Sequence, residues 1–271
     1  MMHLARSGDL QISYEDLGAG EPALLFLPGW CASRAILGEL ASRLAPGHRI
    51  LAMDWRSHGS SGPAAGDFGS AELVDDALAV IAASGARHII PVATAHAGWV
   101  AIELRRRLAD RVPKLVLVDW IVTDPPPPFL GALAAMQDPA QALQVRDGLF
   151  AMWTEGVEHA GVLRFVREDM GSYPAAMWSR AAREIAAAYS REGSPLQALA
   201  ALAPPPPVLH LYAQPADPAY LAAQESFAAE HRWFAVHKLD ARSHFPAIEV
   251  PGQMQGPIER FVAATGANPD R

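Results

Sequence analysis

The 271-residue chain has one cysteine, Cys31, and two lysines, Lys114 and Lys238, among 22 basic and 29 acidic residues. A lone cysteine excludes an internal disulfide framework. With a formal net charge of −7 and no basic run, the chain lacks the cationic stripe that a phosphate backbone requires, so nucleic acid is excluded as a partner. No stretch of about 18 apolar residues offers a bilayer span, and no charged-then-apolar leader opens the chain. The reading is a soluble cytoplasmic protein with no membrane partner. The ten histidines show no H-x-H, H-E-x-x-H or Cys/His spacing, and no G-x-G-x-x-G follows a strand. Neither a metal nor a dinucleotide is expected, and the site reads as cofactor-free.

What is present is 51% hydrophobic residues in a chain long enough for one large domain with an insertion. Short β-rich apolar runs alternate with helical patterns. The runs are Leu24 to Leu27, Arg49 to Met53, His88 to Val92, Lys114 to Val118, Val208 to Tyr212 and Phe234 to Leu239; "SAELVDDALAVIAASG" typifies the helices. This alternation predicts a mostly parallel twisted sheet with helices on both faces. "LQISYEDLG" alternates with period two, as a half-exposed edge strand does. Two proline runs, Pro125 to Pro128 and Pro204 to Pro207, can continue neither a helix nor a central strand, and they bracket a segment of helical stretches without a convincing strand. The predicted organisation is a core of residues 1–124 and 204–271 with a helical cap, 125–203, closing over the carboxyl ends of the strands.

Four loops converge on that edge. "PVATAHAGWVAIEL" reads as a buried strand, a sharp turn and a helix, the place where an α/β-hydrolase fold presents its nucleophile in G-x-S-x-G. Here the tip is Ala95, preceded by Thr94 and followed by His96. In "LPGWCAS", Gly29 permits a tight turn and the Trp30 N–H, with that of His96 at the helix start, makes a plausible oxyanion hole. Asp119 ends the strand before "VDW", beside Trp120, and His244 follows the last strand in "DARSHFPAIEVP". They fill the acid and histidine places in the hydrolase order. A carboxylate bonded to one imidazole nitrogen fixes the tautomer and leaves the other as a base near neutral pH. The His96 side chain either lines the site or caps its helix, and Trp30 and Trp153 either sandwich a flat ligand or serve packing. His58 reads as a structural turn residue. Cys31 adjoins Trp30, but nothing places its thiol against His244.

"LPGWCASRAILGEL", "MDWRSHGSSG", "HAGWV", "VDW", "GLFAMW", "REGSP", "AQPADPAY" and "SHFPAIEVP" resemble the cofactor-independent 3-hydroxy-4(1H)-quinolone (quinaldine) 2,4-dioxygenases, and do so over nearly the whole chain. The resemblance implies an α/β-hydrolase fold, His244 as general base with Asp119 as its partner, and Trp30, His96 and Trp153 lining a substrate pocket. It further implies dioxygen as co-substrate, a 2-alkyl-3-hydroxy-4(1H)-quinolone as the aromatic substrate, and release of carbon monoxide with an N-acylanthranilate. Family members carry S-H-S-H-G-G-W at the elbow, where this chain reads Ala93, Thr94, Ala95, His96, Ala97, Gly98, Trp99; a family histidine two residues after Trp30 is Ala32. Fewer polar groups on the wall make quinolones with longer alkyl chains, including the quorum-signal type, attractive. A methyl at Ala95 cannot attack a carbonyl, so covalent hydrolysis is excluded there while proton abstraction is not. A lyase or cyclase using the same base, and a non-catalytic binding protein, are the competing readings.

Overall fold

The chain begins with a hairpin, β1 (Met2–Ser7) and β2 (Leu10–Leu17), closed by the two-residue turn Gly8–Asp9 with Gly8 at φ +59°. The period-two strand "LQISYEDL" is therefore not the sheet edge: β1 covers one side of β2, and β4 (Ile50–Met53) pairs with the other. Nor is one of its faces left to solvent: Ile12, Ser13 and Tyr14 are buried in succession. From β3 (Ala23–Leu27) through β4, β5 (Ile89–Thr94), β6 (Leu115–Val118) and β7 (Val208–Tyr212), every residue is buried. Strands apolar on both faces need cover on both. In this computed structural model, which describes residues 1–264, they and β8 (Phe234–Lys238) form an eight-stranded sheet in the order β1-β2-β4-β3-β5-β6-β7-β8. All neighbours from β4 onward are parallel.

Helices α1 (Gly38–Leu44), α2 (Ser70–Ser84) and α3 (Gly98–Leu108) link β3 to β6. The strand order reverses at β3, with β4 on one side and β5 on the other. Such a reversal opens a crevice at the carboxyl ends of the two strands, between the loops carrying Trp30 and Ala95.

Between β6 and β7 the described chain holds no strand, only α4 (Pro127–Met136), α5 (Ala142–Trp153), α6 (Ala160–Arg164), a π-helical turn at Phe165–Asp169, α7 (Ala175–Glu192) and α8 (Pro195–Ala200). The first proline run does not end helical structure: Pro127 and Pro128 open α4, where a missing N–H and a fixed φ suit the first turn. The amphipathic α7 buries Met177, Trp178, Ile185 and Tyr189, and α4 and α5 pack on it. Its polar side is tied to the core: Glu184 accepts from the Ser70 N–H at 2.8 Å, and Asp67 pairs with Arg180 at 2.8 Å and Arg183 at 2.9 Å. The π-turn adds Asp169, which accepts from the Ser33 N–H at 3.0 Å. By contrast α5 has a single fully buried residue, Ala142. The last segment carries α9 (Pro218–Glu230), α10 (Pro246–Glu249) and α11 (Pro251–Ala263), the last packing beside α1. Residues 265–271 of the expected core lie outside the described residues.

Candidate functional site

At the end of β5 the backbone turns sharply: Ala95 adopts φ 48° and a helical turn starts at once, running into α3. A non-glycine residue in the left-handed region carries strain of order 1–3 kcal/mol. This is the geometry of a nucleophile elbow with a methyl group at its tip. The preceding loop packs against the elbow: a Cβ built on Gly29 would lie in ordinary contact, 3.8 Å from that of Ala95 and 3.5 Å from the Thr94 carbonyl oxygen, so a side chain there is not excluded by the backbone. The Trp30 N–H donates to no described backbone acceptor, and that of His96 sits in the first helical turn, where donors lack intrahelical partners.

Asp119 follows β6 with φ 48° and is fully buried. Its Oδ1 accepts from the backbone N–H groups of Ala213 at 2.6 Å and Gln214 at 3.0 Å, in the loop after β7. Its Oδ2 meets Nδ1 of His244. The His244 loop is held by Glu249, whose carboxylate accepts from the N–H groups of Arg242 at 2.9 Å and Ser243 at 2.8 Å. Burial alone would raise the Glu249 pKa; these bonds outweigh it and hold the carboxyl below its usual range. The Trp153 ring stacks on His244 at 5.1 Å between centroids, 27° from parallel. Thus Nδ1 of the histidine is committed to the carboxylate and Nε2 is its free nitrogen.

His96 is set differently. Trp120 donates its indole N–H to His96 Nδ1 at 3.1 Å. Since that indole is only a donor, Nδ1 is the acceptor and the neutral ring carries its proton on Nε2. Burial, reinforced by His244, lowers the His96 pKa to about 3. His96 also stacks on Phe129 of α4 at 5.6 Å. No side-chain hydrogen bond from His96 caps its helix, and the ring lies on the cavity wall. Thr94 is 4% exposed and its hydroxyl has no hydrogen-bond partner among the described residues.

Trp30, Thr94, Ala95, His96, Asp119, Trp120, Trp153 and His244 all line one cavity of about 870 Å³ beneath α4, α5 and α7. Ala32 lines it as well. Apolar groups of the helices, among them Phe129, Met136, Trp178 and Ile185, make up most of the remaining wall. Helical periodicity marks such residues as inward-facing but does not separate a core from a cavity, so none was singled out. Arg242, at the rim, was also missed.

Two residues weighed in the sequence fall outside the cavity. Cys31 is buried, and burial pushes its thiol pKa well above the usual value. The buried His58 accepts the Cys31 N–H on Nε2 at 3.1 Å, leaving Nδ1 to donate to the Arg56 carbonyl at 2.8 Å. Burial lowers its pKa to about 4. Among the described residues no group of three or more His, Cys, Asp or Glu is placed to hold a metal ion, and no helix is long and apolar enough to cross a membrane.

Fold and site define a class: an α/β-hydrolase architecture that keeps a histidine and its carboxylate but has no nucleophile at the elbow. Residues 24–254 match the alpha/beta hydrolase family. The chain is 36% identical to the 1H-3-hydroxy-4-oxoquinoline 2,4-dioxygenase of Pseudomonas putida, over 97% of this chain and 100% of the relative. It is 37% identical to the 2-heptyl-3-hydroxy-4(1H)-quinolone dioxygenase of Mycobacteroides abscessus, over 90% and 92%. Among solved structures, an AqdC variant in complex with its substrate, the Pseudomonas quinolone signal, superimposes with a TM-score of 0.93 at 34% identity, covering 98% of this chain and 100% of that one. The chain belongs to the 3-hydroxy-4-quinolone 2,4-dioxygenases of the alpha/beta hydrolase family.

Proposed function

We propose that the protein cleaves the heterocycle of a 2-alkyl-3-hydroxy-4(1H)-quinolone with dioxygen as co-substrate, without metal or organic cofactor, using His244 oriented by Asp119 as general base. The observation that carries this reading is a base without a nucleophile: an imidazole bonded to a buried carboxylate faces an aromatic-walled cavity whose elbow ends in Ala95. Such a site can remove a proton but cannot form an acyl-enzyme. In this reading residues 125–203 cap a core of 1–124 and 204–264. Trp30, Thr94, Ala95, His96, Trp120 and Trp153 form the substrate wall.

His244 Nε2 takes the 3-hydroxyl proton, and the imidazolium is stabilised by Asp119. The resulting anion is electron-rich enough to reduce dioxygen, and a C2–O bond forms to a peroxide. The distal peroxide oxygen attacks C4, where negative charge develops toward the Trp30 and His96 N–H groups and the Nε2–H of His96. The O–O, C2–C3 and C3–C4 bonds then break. C3 leaves as carbon monoxide with its own oxygen, one atom of dioxygen enters the amide carbonyl at C2, and the other enters the carboxylate at C4. Substrate and dioxygen thus balance N-acylanthranilate and carbon monoxide.

Chain length follows from the wall. The relatives named for 2-heptyl substrates fit an apolar volume of this size, and each methylene removed from water contributes about 0.8 kcal/mol. The test supplies chelator-treated protein with 2-methyl- and 2-heptyl-3-hydroxy-4(1H)-quinolone in air. One mole each of oxygen consumed and carbon monoxide released per mole of N-acylanthranilate is expected, with the heptyl substrate favoured in kcat/KM. Binding without oxygen uptake would overturn the reading.

A further inference from the structure

Among the described residues lining the cavity, Arg242 is the one with a guanidinium or ammonium group. It is built into the rim. Its backbone N–H donates to Glu249, its carbonyl accepts from Gln214 Nε2 at 2.9 Å, and its Nη1 donates to the Gly156 carbonyl at 3.0 Å. Gly156 has φ +65°, and a Cβ there would stand 3.0 Å from Nη1, so the guanidinium rests on a residue with no side chain to displace it. It forms no ion pair with any described carboxylate; Glu155, on the same rim, does not reach it.

An exposed guanidinium anchored to a backbone carbonyl and paired with no described carboxylate, at the mouth of a chamber whose wall is mostly apolar, suits an anionic ligand. The reaction proposed above makes one: a neutral quinolone enters, and an N-acylanthranilate with a carboxylate derived from C4 leaves. We propose that Arg242 is a product-binding residue whose guanidinium holds the carboxylate created by ring opening at the cavity mouth. The ligand class is an ortho-acylaminobenzoate with an apolar acyl tail, the planar fork of arginine matching the planar carboxylate. Arg242 thereby gives the anion a partner as it leaves the apolar wall, and Glu155 limits how long it stays. The inference rests on the ring-cleavage reading for its product, but its test does not use turnover.

Affinities of N-octanoylanthranilate and of N-octanoylaniline, which lacks the carboxylate, are measured calorimetrically on the intact protein and on Arg242→Gln, Arg242→Lys and Glu155→Gln. Arg242→Gln is expected to weaken the anthranilate about tenfold and the anilide less than twofold, with Arg242→Lys intermediate and Glu155→Gln binding the anthranilate more tightly. Equal losses for both ligands in Arg242→Gln, or no loss of anthranilate affinity, would overturn the proposal. Failure of the ring-cleavage reading shows separately, as no oxygen uptake with either quinolone.

Discussion

Ala95 and Thr94 illustrate two ways in which one residue records a change of chemistry. The strained backbone at Ala95 is what a nucleophile needs to stand clear of the sheet, yet the methyl uses none of it. Ala95→Ser should therefore leave quinolone cleavage within a few-fold, since the reaction places no covalent demand on that position. His244→Ala should lower kcat by about 10²–10⁴, the usual contribution of a general base, and Asp119→Asn by less, both measured by oxygen uptake at saturating quinolone. The Thr94 hydroxyl has no protein partner among the described residues, and a buried hydroxyl left unpaired costs a folded protein about 1–3 kcal/mol. Thr94→Val, of nearly equal shape, should raise the melting temperature of the free protein and at the same time raise KM for the quinolone. A higher melting temperature with unchanged KM would mean that the hydroxyl meets nothing on the substrate.

At the scale of elements, the elbow works because α3 starts with a residue that has no side chain. A Cβ on Gly98 would fall 2.2 Å from the Trp120 ring, so that ring lies directly under the helix start and reaches His96 from there. Gly98→Ala should destabilise the fold by about 1–3 kcal/mol, the usual cost of overpacking, and should lower kcat/KM by shifting His96. Denaturant unfolding and steady-state kinetics on the same preparation would check both. The central strands were legible in the sequence because runs such as Leu24 to Leu27 and Val208 to Tyr212 are apolar on both faces, and the His244–Asp119 contact was legible because Asp119 directly follows one strand and His244 lies in the loop after the last, in a recognisable order. The β1 strand was not: Leu4 is 60% exposed and Met2 55%, so the edge position shows no apolar run, and the Gly8–Asp9 turn was its only clear signal. The start of α4 was hidden because proline ends most patterns yet suits a first turn.

Across the whole molecule, three histidines, the buried His58 and His210 (on β7) and the half-buried His96, weaken the fold in acid. Burial lowers His58 and His210 to about 4 and His96 to about 3, whereas the unfolded chain titrates near 6.5. Between those values the unfolded state binds more protons, so unfolding free energy falls as pH drops from about 6.5 toward 4 and is unaffected by these groups above 7. Urea midpoints should decline over that window by more than those of a His58→Gln variant. None of the three titrates at neutral pH, so none of them supplies a pH dependence of kcat/KM there. Which helix faces border a chamber rather than a core was beyond the sequence, because both are apolar; the contents of the chamber depend on how α4, α5 and α7 come together.

The stacking of Trp153 on His244 joins two events that enzymes often keep apart. The indole belongs to the last residue of α5, the helix with the least of itself buried, while the imidazole belongs to the core. An outward displacement of α5 would draw the indole off the imidazole, so access past that helix and hydration of the base would come as one event. The imidazole side chain, 22% exposed with the helix in place, would then lose the cover of one ring face.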